Sequence, residues 1–550
     1  MKRNIVKVHP DDNVLVALDN LPKGERIAYN GTEILLQDNI PAKHKFVTAE
    51  LRQGDPIYMY GVMVGKAQTD IQRGGLINTG NVKHAANDFK LAERKTNWNV
   101  PDVSKWKNRT FMGYHRADGK VGTANYWLVI PMVFCENRNL EVLKEALVDD
   151  LGYSRNHSYR VQANLLVEMY KRGSSIDELL NAPVATEKFK EAEQRIFPNV
   201  DGIKFLTHTG GCGGTRQDAE ALCGLLAGYI THPNVAGATV LSLGCQNAQV
   251  SILQEQIQKR DAHFSKPLYI LEQQKVGMEV DLISQAIRQT FAGLVQANAC
   301  KREPASITKL CIGLECGGSD GFSGISANPA IGYTSDLLVA AGGAVILSEF
   351  PELCGVEQEL SDRCVNTETA RRFGHLMKVY NERAIAAGSG FDMNPSPGNI
   401  KDGLITDAIK SAGAAKKGGT SPVVDVLDYT EPVTKPGLNL LCTPGNDVES
   451  TTAEVASGAN IVLFTTGLGT PTGNPIAPVV KISSNTALYN RMRDIIDVNT
   501  GTVIEGTETI EEAGERILDY VISVASGEIQ ISAVRHGQDD FIPWKRGVSL

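Results

Sequence analysis

Three cysteines stand where the chain turns sharply out of an apolar run. Cys212 lies in His208-Thr209-Gly210-Gly211-Cys212-Gly213-Gly214, Cys245 in Gly244-Cys245-Gln246-Asn247, and Cys316 in Glu315-Cys316-Gly317-Gly318-Ser319-Asp320. Each follows a stretch that reads as a buried strand, so the three thiols and His208 could meet at strand ends. Convergent thiolates with an imidazole suit zinc, iron or an iron–sulfur cluster. The bland alternative carries equal weight. Free cysteine is among the most buried residue types and packs as a small apolar group. The glycines let backbone come close to a ligand, or simply make tight turns.

A second set of residues suits a polyhydroxylated acid. Ser319, Ser326, Asn328 and Asn399 can hold hydroxyls, and Asp320, Glu349 and Glu352 can exchange protons or bind a metal. The loop Asn394-Pro395-Ser396-Pro397-Gly398-Asn399 is stiffened by two prolines, which presents polar groups in fixed positions. His44 lies between Lys43 and Lys45, neighbours that attract an anion. For a single Glu or His, a surface or core role is the alternative. Neither Thr443-Pro444-Gly445 nor Thr465-Thr466-Gly467-Leu468-Gly469 leads into Gly-Lys-Ser/Thr, and no GxGxxG occurs, so nucleotide and nicotinamide cofactors lack support.

The elements that must position these residues divide the chain. At 550 residues it is too long for one core. Residues 1–95 read as a small β-rich unit, with short runs at Asn13–Leu18, Glu33–Leu36 and Lys45–Val47 broken by turns such as Asn30-Gly31. A polar stretch, 96–108, reads as a linker. From there apolar runs alternate with helical periodicity: Ile203–Leu206, Thr239–Leu243 and Pro267–Leu271, each before a helix, then Leu310–Leu314, Gly343–Ser348, Leu438–Leu441 and Asn460–Thr466. That alternation predicts α/β layers with a mostly parallel sheet. The candidate residues fall beyond the carboxyl ends of these strands, where open α/β sheets bind ligands.

With a net charge of −8 and no clustering of Lys and Arg, nucleic acid is not expected as a partner. No run is long enough for a membrane helix and the first residues show no signal-peptide pattern, so a cytoplasmic enzyme is expected, its cysteines reduced.

Taken in order, these strings resemble the altronate and galactarate dehydratases and related sugar-acid lyases. The matching stretches run from His44-Lys45-Phe46 through Gly211-Cys212-Gly213, His232-Pro233-Asn234 and Gly244-Cys245. They continue with Cys316–Asp320, Phe322–Ala330, Ser348–Glu352, Asn394–Asn399 and Phe464–Gly467, and cover nearly the whole chain. The resemblance implies a SAF (β-clip) domain followed by two α/β catalytic portions, 109–302 and 303–550. It implies dehydration of a hexonate, D-altronate foremost, to a 2-keto-3-deoxy acid, with a divalent metal, Fe2+ or Mn2+. Another sugar acid such as galactarate, or sugar-acid binding without turnover, is the alternative. Four departures stand out. The family's Val-His-x-His-Asn reads Ile77-Asn78-Thr79-Gly80-Asn81, its Gly-Thr-Arg-Asn reads Gly122-Thr123-Ala124-Asn125, its Gly-Cys-Glu reads Gly244-Cys245-Gln246, and its Gly-Arg-Gly reads Gly467-Leu468-Gly469.

Dehydrating such an acid needs a base for the C2 proton, a charge to meet the enediolate, and an acid for the leaving C3 hydroxyl. The candidates are His44, Glu349 and Asp320 for catalysis, and Ser319, Ser326, Asn328 and Asn399 for the substrate. For the metal they are His208, Cys212, Cys245 and Cys316. The expected partner is a small anionic sugar acid, and homo-oligomers are left open.

Overall fold

The computed structural model describes residues 4–86, 89–91, 98–154, 158–184 and 195–549. Residues 4–86 form short antiparallel strands. Ile5–Val6, Val14–Ala17 and Lys45–Val47 make one sheet, and Pro56–Met59, Val62–Ala67 and Val82–Lys83 another. Between them, Arg26–Tyr29 and Thr32–Leu35 form a hairpin that turns at Asn30-Gly31. Both turn residues have positive φ, which suits a two-residue hairpin loop and explains the Asn-Gly pair.

The sequence reads 96–108 as a linker. Residues 92–97 lie outside the described ones, but 98–108 is fastened down. Trp106 is buried and donates its Nε1–H to Asp519 at 2.9 Å, and Lys105 pairs with Asp519 at 3.0 Å. An indole that finds both burial and an acceptor ties this stretch to the helix Ile510–Ala525. Thr110–His115 then pairs antiparallel with Arg302–Ser306, so the chain enters and leaves the middle portion through adjacent strands.

The middle portion is a four-stranded parallel sheet ordered Gly202–Phe205, Tyr126–Pro131, Val235–Ser242, Leu268–Glu272. The last portion is a seven-stranded parallel sheet ordered Val423–Leu427, Gly437–Leu441, Ala344–Leu347, Cys311–Cys316, Ile461–Thr466, Val479–Ser483, Val498–Asn499. Helices cover both sheets, which is why strands such as Val235–Ser242 are buried at every position and read as unbroken apolar runs. The helices Arg216–Thr231 and Asp447–Ser457 pack on each other and join the two portions; a Cβ on Gly228 would meet the Ala456 carbonyl at 2.3 Å.

Each sheet has a strand whose successors lie on opposite sides of it. In the middle sheet it is Tyr126–Pro131, and in the last it is Cys311–Cys316. Crevices at such reversals, outside the carboxyl ends, are where open α/β sheets take ligands. No helix of the described residues is long and apolar enough to cross a membrane.

Candidate active site

Cys311–Cys316 delivers Cys316 to the reversal point of the large sheet, and the neighbouring strand Ala344–Leu347 delivers Glu349 and Glu352. The three are buried, at 3%, 1% and 3% exposure. Their donor atoms lie within 4.8 Å of one another. Cys316 Sγ is 3.6 Å from Glu349 Oε2 and 3.3 Å from Glu352 Oε2. Glu349 has φ of 62°, in the left-handed region that a non-glycine residue enters at a cost of about 1–3 kcal/mol. Thr443 holds it there, accepting from the Glu349 amide at 2.8 Å.

Two lysines answer these acids. Lys417 donates to Cys316 Sγ at 3.0 Å and to Glu349 Oε2 at 2.8 Å. Lys410 pairs with Glu352 Oε1 at 2.5 Å and donates to Asn394 at 2.7 Å. Both come from one helix, Asp407–Ala415, and the turn that ends it. The start of that helix is pinned to the small domain, where Thr406 donates to the Val64 carbonyl at 2.9 Å. Glycine is required at 317, because a Cβ there would lie 2.0 Å from the Asp447 carboxylate.

The charges separate by environment. Burial works against the Lys417 ammonium, but Cys316, Glu349 and Glu315 outweigh it and hold it well above the ordinary lysine range. Burial would raise Glu352, yet Lys410 and Lys417 pull it below the usual carboxylate value. Burial, then Glu349 and Glu454, lifts Glu315 far up. Burial raises Glu454 to about 8 and, aided by Glu349 and Glu352, Asp447 to about 6. The Cys316 thiol is raised by burial and then by Glu352. One small volume thus holds ionised acids, neutral acids and two ammonium groups. Two polar atoms there stay unpaired: Oε1 of Glu349 and Oε2 of Glu454 are buried without a hydrogen-bond partner.

The structure divides the set His208, Cys212, Cys245 and Cys316 between two sheets. Cys316 keeps the company just described. Cys212 and Cys245 end strands of the middle sheet. His208 is buried, with Nε2 at 2.8 Å from the Pro131 carbonyl and Nδ1 accepting from the Gly210 amide at 3.1 Å. Both ring nitrogens are therefore spent on backbone, and burial lowers the ring's affinity for a proton.

Asp320 lies on the small-domain side of the Cys316 loop. Its Oδ2 pairs with Lys43 at 3.0 Å, and its Oδ1 accepts from Phe322 and Ser323 amides and from Ser323 and Ser484 hydroxyls. So saturated a carboxylate anchors the loop and the docking of the small domain. His44, beside Lys43, is half-buried, with Nδ1 3.2 Å from the Ala42 carbonyl. Ser326 donates to Phe322 and Ser484 carbonyls, and Asn328 bonds Gly413 and Thr465, all inside the protein. Asn399 donates to the Ser319 carbonyl at 2.7 Å, which joins the proline loop to the Cys316 loop. The stretch Ile77–Asn81 closes a turn, with the Asn78 amide donating to the Asn81 side chain.

Lys410, Lys417, Glu454 and Asp447 escape sequence reading, and Glu315 is read there only as part of the Cys316 string. Lys410, Glu454 and Asp447 lie in helices and Lys417 in a turn, and only packing brings the four to Cys316. A second donor group, His84, Cys354 and Asp407, also falls within 4.8 Å and bridges the small domain to the helix that carries Lys410.

Comparison with known proteins covers nearly all of the chain. Residues 3–85 match the altronate/galactarate dehydratase SAF domain. Residues 113–298 match the D-galactarate dehydratase/altronate hydrolase second domain, and 307–549 the D-galactarate/altronate dehydratase C-terminal domain. An altronate dehydratase of Bacillus subtilis (strain 168) is 34% identical over 100% of both chains. One of Escherichia coli (strain K12) is 32% identical over 99% of both. The galactarate dehydratase (L-threo-forming) of Escherichia coli (strain K12) is 31% identical over 95% of this chain and 93% of its own.

Proposed function

The chain belongs to the altronate/galactarate dehydratase family, and from that premise we propose that it is a hydro-lyase taking water from a hexonate, D-altronate foremost, to give 2-keto-3-deoxygluconate. The observation that carries this reading is the split of protonation states around Cys316, Glu349 and Glu352. Acid groups pushed in opposite directions within one site are what a proton-moving reaction needs.

Glu349 offers an unpartnered oxygen to the C2 proton, while Lys417 fixes its other oxygen. The ammonium groups of Lys417 and Lys410 meet the charge that develops on the enediolate, and they do so where water is excluded. Asp447, raised to about 6, is suited to protonate the leaving C3 hydroxyl near neutral pH. The donor set Cys316, Glu349 and Glu352 fits a divalent ion, Fe2+ or Mn2+, in type and spread. Such an ion would supply Lewis-acid stabilisation of the enediolate.

The test is a panel of sugar acids, D-altronate and galactarate among them, assayed for 2-keto-3-deoxy products. Turnover of altronate above the others supports the reading. Turnover of galactarate instead moves the substrate, and binding without turnover under every divalent ion tried overturns it.

A further inference from the structure

The reversal point of the middle sheet carries a cluster that the reaction above does not use. Three adjacent strands, Gly202–Phe205, Tyr126–Pro131 and Val235–Ser242, lead into Cys212, Cys135 and Cys245 respectively. Of the ten cysteines these three are the exposed ones. The bland fate of a free cysteine is burial, and Cys223, Cys316, Cys364 and Cys442 meet it. An exposed thiol on each of three adjacent strand ends does not follow from packing.

The loops that bear them are bound into one unit. The Phe134 amide donates to the Gly210 carbonyl and the Ala248 amide to the Gly211 carbonyl, both at 3.1 Å. His208 clips the Pro131 carbonyl, and Asn137 donates to the His208 carbonyl at 2.8 Å. Gly211 has φ of 97°, and a Cβ there would lie 2.1 Å from the Met132 carbonyl, so the Cys212 loop presses backbone to backbone on the one before Cys135. Gln274 donates to Cys245 Sγ at 3.3 Å, the kind of amide contact that tunes a metal-bound sulfur.

We propose that Cys135, Cys212 and Cys245 are the three protein ligands of a cubane iron–sulfur cluster seated at this reversal point, with one iron bearing no protein ligand. The spacing argues against a single ion. Thiolates on one tetrahedral ion, at about 2.3 Å from the metal, stand under about 4 Å apart. Among the described residues, the groups of three donors within 4.8 Å do not include this trio. Ligands to different irons of a cluster stand further apart. On assembly from two ferrous ions, two ferric ions and four sulfides, three iron–sulfur bonds to cysteine form and the three thiols each release a proton, with no net change of oxidation state. The fourth iron is left to water or a small oxyanion.

The experiment uses the full chain purified without oxygen and reconstituted with equal amounts of ferrous and ferric iron and with sulfide. Iron, acid-labile sulfide and zinc are quantified, and Mössbauer spectra recorded. The proposal expects about four iron and four sulfide per chain. Cys135→Ser, Cys212→Ser and Cys245→Ser each lose most of both, while Cys223→Ser, Cys311→Ser and Cys316→Ala keep them. Circular dichroism checks the fold of each variant. Independently, the wild-type cluster shields the three cysteines from alkylation, read by mass spectrometry, and its removal exposes them. One zinc without sulfide, no bound metal, or a cluster retained in the three serine variants overturns the proposal. Loss of the cluster in Cys316→Ala alone overturns it too. None of these outcomes bears on altronate turnover at Cys316, so the two readings fail separately.

Discussion

Lys417 donates to Glu349 across 2.8 Å with both side chains 1% exposed. The pair closes the floor of the candidate active site. Neither member tolerates loss of the other, because an isolated charge in so dry a place has no compensation.

Lys417→Met is therefore expected to cost about 3–5 kcal/mol of stability and to lower kcat/KM roughly a hundredfold or more. Adding Glu349→Gln should return most of the stability and none of the activity. Urea unfolding with steady-state kinetics reads both. A single variant as stable and active as the parent would remove the pair from both roles.

Cys316→Ala is expected to reduce turnover at least tenfold more than Cys223→Ala. Cys316 contacts two carboxylates and an ammonium, whereas Cys223 lies inside a helix with its sulfur 3.9 Å from the Gln249 carbonyl. Equal, small effects would make the Cys316 loop structural only.

How much of this was legible in the sequence depends on what marked each residue. The strands before Cys212, Cys245 and Cys316 show as apolar runs ending in glycine, and the structure has strands there: Gly202–Phe205, Val235–Ser242 and Cys311–Cys316. Tyr126–Pro131, the hub of the middle sheet, is as apolar, yet it leads into Phe134-Cys135-Glu136 with no glycine to signal a turn, so Cys135 is not marked. Nor does sequence separate two parallel sheets from one, and Cys316 looks equivalent to Cys212 and Cys245 until pairing is known. Nothing in Lys416-Lys417-Gly418-Gly419 marks a buried ammonium. Only the packing of that turn on the helix Ala327–Ala340 and on the strand Ala344–Leu347 buries Lys417.

Glu454 sets a pH dependence of stability. It faces Ser348, the Leu314 amide, Lys417 and Glu349, and burial raises it from 4.5 to about 8. Between those values the folded state holds a proton that the unfolded chain releases. Stability therefore falls as pH rises through this window and levels off above it. Glu454→Gln removes the proton and should flatten that slope. Urea midpoints measured from about pH 5 to about pH 8 check it. A slope unchanged by the substitution would assign the dependence to other groups.

The last prediction concerns the ion expected at Cys316, Glu349 and Glu352. Exhaustive chelation should abolish dehydration, and ferrous or manganous ion should restore it when oxygen is excluded. The enediolate needs a Lewis acid or its equivalent, and a thiol in the donor set favours a softer ion over magnesium. Because the Cys316 thiol is held high by burial, its proton competes with the metal, and occupancy should fall as pH falls. Metal content by mass spectrometry against pH, in the parent and in Cys316→Ala, reads this directly: the parent should lose its ion at a higher pH than the variant's remaining carboxylates dictate. Full activity in chelated protein that contains no metal would leave Lys410 and Lys417 to carry the enediolate's charge alone. Restoration by magnesium with no sensitivity to oxygen would keep the Lewis acid but remove Cys316 from its ligands.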